Sequence, residues 1–337
     1  MPARISLFTL SVLLMISLKL SDAKPAAPAR GLLVVANQME HTVLVVDPET
    51  RRELAKIVVG VNGHEVIVSK DGHYAYVPIY GNSGVGRPGT DGSTIDVIDL
   101  QERKLAATID LGKGLRPHRA EFGPDGLLYV TAEIANAVDV VDPSTRKVLA
   151  EIPTGQKESH MLVLSPDGRR GYTANVAAGS VSVLDLSNRS LVTAIPVART
   201  VQRISISPDG LRVFTHDQDA PRVAIIDTAT NKITGWIELP SPAYASEPTP
   251  DGRWLLALSM SANRLFVADL QTLKVVRTLE APKRSSEILV RPGGDIAYIS
   301  GTGAGKIAVL DLRSWEMQPS IDLTPGVDGL AWAPAPR

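Results

Sequence analysis

The sequence contains no cysteine, which excludes disulfide bonds, thiolate metal sites, covalently attached c-type haem and lipid attachment through an N-terminal cysteine. Aromatic residues are also scarce, at 4% against 44% for all hydrophobic residues. Any core must therefore be built mainly from Val, Ile, Leu and Ala. Metal ligands, if the protein uses them, have to come from imidazole, carboxylate or carbonyl groups.

Positive charge is not in excess. The chain has 35 Lys and Arg residues against 36 Asp and Glu residues, for a formal net charge of -1, and it has no long basic run. Nucleic-acid binding needs several clustered cations to neutralise phosphates. We therefore expect no nucleic-acid partner.

Long apolar runs are absent except near the start of the chain. Residues 1–4 carry positive charge, residues 5–18 are apolar apart from a few Ser and Thr, and residues 21–23 offer small side chains at the positions of a cleavage site. This pattern predicts a secretory signal peptide over residues 1–23, because the apolar run is shorter than the roughly 20 residues that span a bilayer. With a Pro/Ala-rich linker over residues 24–30, we expect a periplasmic or secreted protein with no membrane span after signal cleavage.

The chain is rich in one repeated turn. Ser165-Pro166-Asp167-Gly168 has the composition of a β-turn in which proline presets φ and Asp-Gly supplies a side-chain cap and a residue that tolerates positive φ. From Gly126 onward the turn glycines are 42 residues apart, and an Asp that closes each apolar run recurs at most steps after 42 or 43 residues. The glycines are Gly72, Gly126, Gly168, Gly210, Gly252 and Gly294, and the aspartates are Asp47, Asp99, Asp142, Asp185, Asp227, Asp269 and Asp311.

A repeat of this length built from short alternating strands is typical of a propeller, and no segment shows sustained helical spacing. Six full units begin near positions 61, 113, 156, 199, 241 and 283. The unit over residues 31–60 lacks its first strand, which residues 329–334 can supply. We therefore predict an all-β fold over residues 31–337, a monomeric seven-bladed β-propeller of four-stranded blades. The N- and C-terminal strands pair in one blade and close the ring.

One unit is longer than the others. The second blade gains the segment 81–92 (GNSGVGRPGTDG) between its second and third strands. A glycine-rich insertion in a regular array is a candidate binding loop, and a tolerated surface insertion is an equal alternative. The segment contains a G-x-G-x-x-G match at 84–89, but it leads into a strand, so it does not predict a dinucleotide site.

The strands at 128–131 (LYVT) and 181–185 (VSVLD) and the turn at 227–232 (DTATNK) resemble the YVTN-type β-propeller repeat family over nearly all of residues 31–333. The resemblance implies a seven-bladed propeller, often exported. Relatives include propeller domains of periplasmic redox enzymes and lactonase-like proteins. It implies no single activity, because one fold hosts many sites.

Counting eight residues back from each turn glycine gives a column at the start of the innermost strands, where it rings one mouth of the central channel. Three of its members are histidines from consecutive blades, and five of the six histidines are predicted on this face, with His73 on the opposite one. The column is His64, His118, His160, Gln202, Tyr244, Ser286 and Asp328. Neighbouring charges are Glu65, Arg119, Arg203 and Glu287, His41 lies nearby, and the second strands end at the same rim with Asn37, Glu133, Asn175, His216 and Asp217.

Imidazoles and carboxylates that converge without thiolate suit a divalent metal such as zinc or copper, or acid–base chemistry near neutral pH. The candidate metal ligands are His64, His118, His160 and Glu133. The family resemblance implies a structural alternative, since histidine is common at this place in the repeat and can hydrogen-bond between blades. Both interpretations stay open from the sequence.

Three functions are compatible with these residues. The first is a module that binds a small molecule or a partner protein through the face with the histidine column and the 81–92 loop. The second, suggested by the resemblance, is a metal-assisted lactonase or lyase in which Arg119 or Arg203 orients an anionic substrate. The third is an accessory protein of a periplasmic redox or cofactor system. The candidate ligand-binding residues are His64, His118, His160, Arg119, Arg203, Glu65, Glu133 and Glu287.

Overall fold

The computed structural model describes residues 30–335, so the predicted signal peptide lies outside the described residues. These residues form 28 strands in seven four-stranded antiparallel sheets, each of which is one blade. The predicted seven-bladed all-β architecture is confirmed. Between residues 30 and 335 there is no helix with the length and apolarity needed to cross a membrane.

The strands are named in chain order. Blade 1 contains β1 (Gly31–Asn37), β2 (Thr42–Asp47), β3 (Arg52–Val58) and β28 (Val327–Pro334); blade 2 contains β4 (Ile67–Val68), β5 (Tyr74–Gly81), β6 (Asp91–Asp99) and β7 (Lys104–Asp110). Blade 3 contains β8 (Pro117–Phe122), β9 (Leu128–Ala132), β10 (Ala137–Asp142) and β11 (Lys147–Pro153); blade 4 contains β12 (Ser159–Leu164), β13 (Arg170–Asn175), β14 (Ser180–Asp185) and β15 (Ser190–Pro196). Blade 5 contains β16 (Ile204–Ile206), β17 (Arg212–Asp217), β18 (Arg222–Asp227) and β19 (Lys232–Glu238). Blade 6 contains β20 (Ala245–Pro248), β21 (Trp254–Ser259), β22 (Arg264–Asp269) and β23 (Lys274–Glu280); blade 7 contains β24 (Ser285–Val290), β25 (Ile296–Gly301), β26 (Lys306–Asp311) and β27 (Glu316–Asp322).

The ring closes where the sequence predicts. β28 pairs antiparallel with β1, with Leu33 opposite Trp332 and Val35 opposite Leu330. Blade 1 therefore has the order β28-β1-β2-β3, and the strand from the C-terminal end is the innermost one. This pairing gives blade 1 the same number of strands as the other six blades and joins the two ends of the chain in one sheet.

The repeated turn has the expected geometry. The amide of Gly168 donates to the carbonyl of Ser165 at 2.8 Å, and Gly168 has a φ of +67°. The Asp167 carboxylate accepts hydrogen bonds from the Ser165 hydroxyl at 2.6 Å and the Arg169 amide at 3.0 Å. Proline, aspartate and glycine thus each have the role that their chemistry gives them in a tight turn.

The outer hairpin between the third and fourth strands of a blade is held by an aspartate cap and a residue with positive φ. Asp185 caps it by accepting from the Asn188 amide at 2.9 Å, and the residue that follows, Arg189, has a φ of +52°. At the equivalent place in blade 5 stands Asn231, with a φ of +55°. Asparagine tolerates this left-handed conformation better than arginine.

The cores lie between the blades. Seven apolar clusters occur in the described residues, one at each interface between adjacent blades. At the interface of blades 1 and 2, for example, Val45 and Ile57 pack against Val77 and Ile79. The small aliphatic side chains that the composition predicts fill these interfaces.

Several innermost strands carry an irregularity at the start. In blade 3 the register between β8 and β9 shifts between Pro117 and Ala120. Such a bulge breaks the alternation of side chains along a strand. His118 and Arg119 therefore both contact residues at the start of the neighbouring blade 2, where His118 meets His64 and Arg119 meets Glu65.

Candidate functional site

One mouth of the channel is a polar cavity of about 420 Å³, on the face where the inner strands begin. All members of the predicted column line it, so the count is correct for the six blades that have a turn glycine, and Asp328 takes the same place in blade 1. These residues are His64, His118, His160, Gln202, Tyr244, Ser286 and Asp328. We call this cavity the histidine mouth.

The inserted loop of blade 2 lies over the histidine mouth. Residues 82–90 connect β5 and β6, and Ser83, Gly84 and Val85 line the cavity. The amide of Gly86 donates to a carboxylate oxygen of Glu158 at 3.2 Å. Because Glu158 precedes the first strand of blade 4, the loop reaches past blade 3 and restricts access to the mouth.

Glu133 lies behind the mouth and is fully engaged. Its carboxylate accepts hydrogen bonds from the Tyr80 hydroxyl at 3.0 and 3.1 Å and from Arg116 at 2.9 Å, and it contacts His160 Nδ1 at 2.7 Å. Burial acts to raise the pKa of Glu133, but the hydrogen bonds from His160, Arg116 and Tyr80 outweigh it and lower the pKa. Glu133 is thus ionised, and both of its carboxylate oxygens are hydrogen-bonded within the protein.

His160 has a partner at each ring nitrogen. Since the Glu133 carboxylate can only accept, His160 Nδ1 carries the proton, and Nε2 lies 3.3 Å from the Gln202 amide nitrogen. Burial lowers the pKa of His160 although Glu133 opposes the shift. The imidazole is therefore neutral, oriented and not free to bind a ligand without losing a contact.

His64 and His118 differ from His160, because their nitrogens converge. The two Nε2 atoms are 2.9 Å apart, while His64 Nδ1 lies 3.0 Å from the carbonyl oxygen of Asn62. His118 stacks on His160 with ring centroids 3.6 Å apart. Burial, together with the nearby His160 and His64, lowers the pKa of His118 well below its usual value.

Directly below the histidines, four charged residues cross the channel. Arg119 binds Glu65 at 2.9 Å, Arg203 approaches Glu65 at 3.1 Å, and Arg203 also pairs with Glu287. Burial acts to raise the pKa of Glu65, but Arg203 and Arg119 lower it, whereas burial raises the pKa of Glu287 to about 7. We call Glu65, Arg119, Arg203 and Glu287 the ion-pair quartet.

The opposite end of the channel holds a larger cavity of about 720 Å³, below the ion-pair quartet. Its polar wall includes Glu121, which binds Arg119 at 2.8 Å, and Glu247, which has no hydrogen-bond or ion-pair partner among residues 30–335. Burial, reinforced by Glu287, raises the pKa of Glu247 to about 8. The larger cavity is thus not on the face that the histidines mark.

The residues at the ends of the second strands hold loops in place. Asn37 donates to Thr324 and to the carbonyl of Pro325, each at 3.1 Å, and Asn175 bonds Ser159, Ser180 and Ser182. Both ring nitrogens of His216 are buried without a hydrogen-bond partner in the described part of the chain, and burial, with Arg203, lowers its pKa to about 3. His73 lies in the exposed turn between β4 and β5, away from the mouth.

Sequence reasoning missed four polar residues that shape the channel. Tyr80 is the last residue before the inserted segment 81–92, and Arg116 stands two residues before His118. The equivalent positions of the other blades mostly carry different residue types, so the repeat does not single these two out. Glu121 and Glu247, by contrast, both stand five residues before a turn glycine. Extending the count from eight to five residues before the glycine would have found these two acids.

Among the described residues, His64, Glu65 and His118 form a group that could hold a metal ion, with one ligand atom from each lying within 4.8 Å of the others. Two of these residues belong to the ligand set that the sequence predicts. The acid of the group is Glu65, whereas the predicted set has Glu133. His160, the remaining predicted ligand, is bound to Glu133. The metal itself stays a prediction.

Fold and site together define a seven-bladed β-propeller with a polar, loop-covered mouth at one end of its channel. No protein-family profile matches the chain. Over 147 residues it is 25% identical to Antigen Lp49 of Leptospira interrogans, a match that covers 44% of this chain and only 31% of that relative.

Solved structures share the architecture. A chain of Kuenenia stuttgartiensis hydrazine synthase superposes with a TM-score of 0.72 at 20% identity, covering 88% of this chain and 99% of that one. Dihydro-heme d1 dehydrogenase NirN, solved in complex with DHE, superposes with a TM-score of 0.63 at 16% identity, covering 91% of this chain and 77% of that one. At these identities the likeness shows the fold alone.

Proposed function

We propose that this protein is an exported, monomeric propeller of the YVTN type that binds a ligand at the histidine mouth. The observation that carries the proposal is the cavity of about 420 Å³ itself, lined by the polar column and by the inserted loop. Convergent polar groups in a concave site are the usual mark of ligand binding. The channel cations Arg119 and Arg203 are paired with Glu65 and Glu287, so they form no free basic surface of the kind that nucleic acid needs.

The test is to shorten the loop and to identify what the mouth retains. Residues 82–90 are replaced by Val-Ala-Ala-Gly, the segment that joins β13 and β14 at 176–179. Native mass spectrometry on untagged protein from the periplasm should show a small molecule on the wild type that the shortened variant lacks. The matched control is Glu247→Gln at the opposite cavity, which should keep the molecule. Retention of the same molecule by the shortened variant would contradict the proposal.

A second candidate is an accessory role in a redox or cofactor system. It is favoured by the propeller likeness to hydrazine synthase and to NirN, whose structure holds DHE. A haem-type macrocycle is then the probe: hemin titrated into the protein should give a shifted Soret band, and the loop-shortened variant should weaken the binding. An unchanged Soret band at all hemin concentrations would remove this candidate.

A metal-assisted lactonase or lyase is a third candidate, and it depends on the group of His64, Glu65 and His118. In such an enzyme a metal would polarise a substrate carbonyl. Arg203, which lines the mouth, would orient a substrate carboxylate. Turnover in a screen of lactones and unsaturated esters, lost on His118→Gln, would support it, and no turnover with metal-loaded protein would contradict it.

A further inference from the structure

We propose that the histidine mouth holds a zinc-type divalent cation, bound by the Nε2 atoms of His64 and His118 and by the carboxylate of Glu65. This inference rests on the proposed ligand-binding function and specifies the chemistry of the same site. It also differs from the sequence prediction, because it leaves out His160 and Glu133.

The tautomer of His64 prepares it as a ligand. A carbonyl oxygen can only accept, so the contact of His64 Nδ1 with the Asn62 carbonyl at 3.0 Å places the proton on Nδ1. His64 Nε2 therefore presents a lone pair to the channel. A histidine whose other ring nitrogen donates to a backbone carbonyl is the usual supporting arrangement behind a metal ligand.

His118 directs its own Nε2 at the same point. The two Nε2 atoms are 2.9 Å apart, so one proton is all that can lie between them. His118 is 2% exposed, and its Nδ1 has no hydrogen-bond partner in the described part of the chain. No second contact therefore holds His118 in its present tautomer, and its proton can move to Nδ1 when Nε2 binds a cation.

The spacing of the two imidazole nitrogens needs only a small adjustment, while the Glu65 carboxylate has further to move because the three ligand atoms are grouped only to within 4.8 Å. Two imidazole nitrogens on a tetrahedral zinc, each about 2.0–2.1 Å from the metal, are about 3.3 Å apart. The pair at 2.9 Å would thus have to open by roughly 0.4 Å. His64 is only partly buried and lies at the rim, so it can make this movement without disturbing the blade interfaces.

Glu65 completes the set as an anion. Its side chain is 2% exposed, and Arg119 and Arg203 keep it ionised. One carboxylate oxygen has no hydrogen-bond partner among the described residues, although Arg203 lies 3.1 Å from it. Two imidazoles and one carboxylate form a known three-residue zinc set that leaves a fourth position for water or a ligand. Since His64 and His118 line the histidine mouth, we expect a ligand to reach this position from there.

The surrounding charges predict a moderate affinity. Arg119 and Arg203 lie beyond Glu65 and oppose a cation, while Glu287 and Asp328 favour it. The two arginines therefore weaken cation binding, and we expect a lower affinity than that of a closed structural zinc site.

The experiment uses the mature, untagged protein after chelator treatment and dialysis. Calorimetric titration with Zn²⁺ should give one site per chain, and His64→Gln and His118→Gln should each weaken it at least tenfold. Glutamine is a mild replacement, because Gln202 occupies the same column two blades beyond His118. The control is His73→Gln, in the exposed turn away from the mouth, which should bind Zn²⁺ like the wild type once circular dichroism confirms its fold.

A spectroscopic measurement keeps the inference testable if a variant fails to fold. Cu²⁺ titrated into the wild type should give an electron paramagnetic resonance spectrum with hyperfine structure from two nitrogens. No Zn²⁺ binding by the wild type, or equal binding by His64→Gln and His118→Gln, would overturn the metal site. If the wild type then still carries a molecule that the loop-shortened variant lacks, the proposed function stands and only the metal inference fails.

Discussion

A buried aspartate in blade 3 provides the sharpest test of the energetics of this fold. Asp139 on β10 is 2% exposed, one of its carboxylate oxygens has no hydrogen-bond partner among the described residues, and its cross-strand neighbour is Glu151. The equivalent residue of blade 2, Asp96, faces Thr108 instead and accepts hydrogen bonds from the Thr108 hydroxyl and the Gly60 amide, both at 2.8 Å. Asp139 lacks both kinds of donor.

The cost can be worked from its titration. Burial, with Glu151 as a minor cause, raises the pKa of Asp139 from 3.8 to about 7. A raised acid pKa means that the folded state binds more protons than the unfolded state between about pH 4 and pH 7, so stability falls as the pH rises through this window. At 1.36 kcal/mol per pKa unit, the destabilisation reaches about 4 kcal/mol at pH 8. About 3 kcal/mol of it arises between pH 5 and pH 8.

The assay is urea unfolding of the wild type and Asp139→Asn at pH 5 and pH 8. The variant should be more stable at pH 8 by up to about 4 kcal/mol, less the cost of burying an amide, and its advantage should shrink by about 3 kcal/mol at pH 5. Glu151→Thr should also stabilise the protein at pH 8 by restoring the donor seen at Thr108. A stability difference that does not change between the two pH values would refute this reasoning.

Two further changes test closure and turn strain. Deleting residues 326–337 removes β28, whose apolar side chains lie in the clusters on both sides of blade 1. These side chains are Val327, Leu330, Ala331 and Ala333. The burial that is lost contributes on the order of 5 kcal/mol, which is comparable to the free energy of unfolding of a whole domain. We expect no cooperative thermal transition, and a melt like that of the full chain would contradict the closure argument. Arg189→Asn should stabilise the outer hairpin of blade 4 by about 1 kcal/mol because it relieves a left-handed arginine, with Asn231→Arg as the reverse control; equal melting temperatures for both variants would count against turn strain.

The fold could be predicted because the repeat makes each local signal recur. One Pro-Asp-Gly turn is weak information, but the same turn at Gly126, Gly168, Gly210, Gly252 and Gly294 fixes the blade length and hence the register of the innermost strands. The same count predicted that the two ends of the chain share one blade, because the stretch around Trp332 matches the strand that is missing before Leu32. Periodicity thus placed the column at the mouth with no side-chain information.

The partners within the site could not be predicted in the same way. Glu133 is bound to Tyr80 and Arg116 rather than aimed into the mouth. The repeat places each of these residues on a strand or link but does not show which side chains meet between neighbouring blades. The side-by-side projection of His118 and Arg119 depends on a bulge, which strand alternation does not reveal. Contacts such as that of His64 Nδ1 with the Asn62 carbonyl decide which histidine nitrogen keeps a lone pair for a ligand. Such contacts depend on distances of tenths of an ångström, which a sequence does not give.

The ion-pair quartet has a consequence for how the two faces of the propeller relate to each other. A molecule that crossed along the axis would have to break the pairs of Arg119 and Arg203 with Glu65 and Glu287, so the channel consists of two compartments and is not a conduit. Arg203 contributes to the walls of both. A charge that binds in one compartment therefore changes the electrostatic potential in the other, and the two faces can be linked without any movement of the backbone.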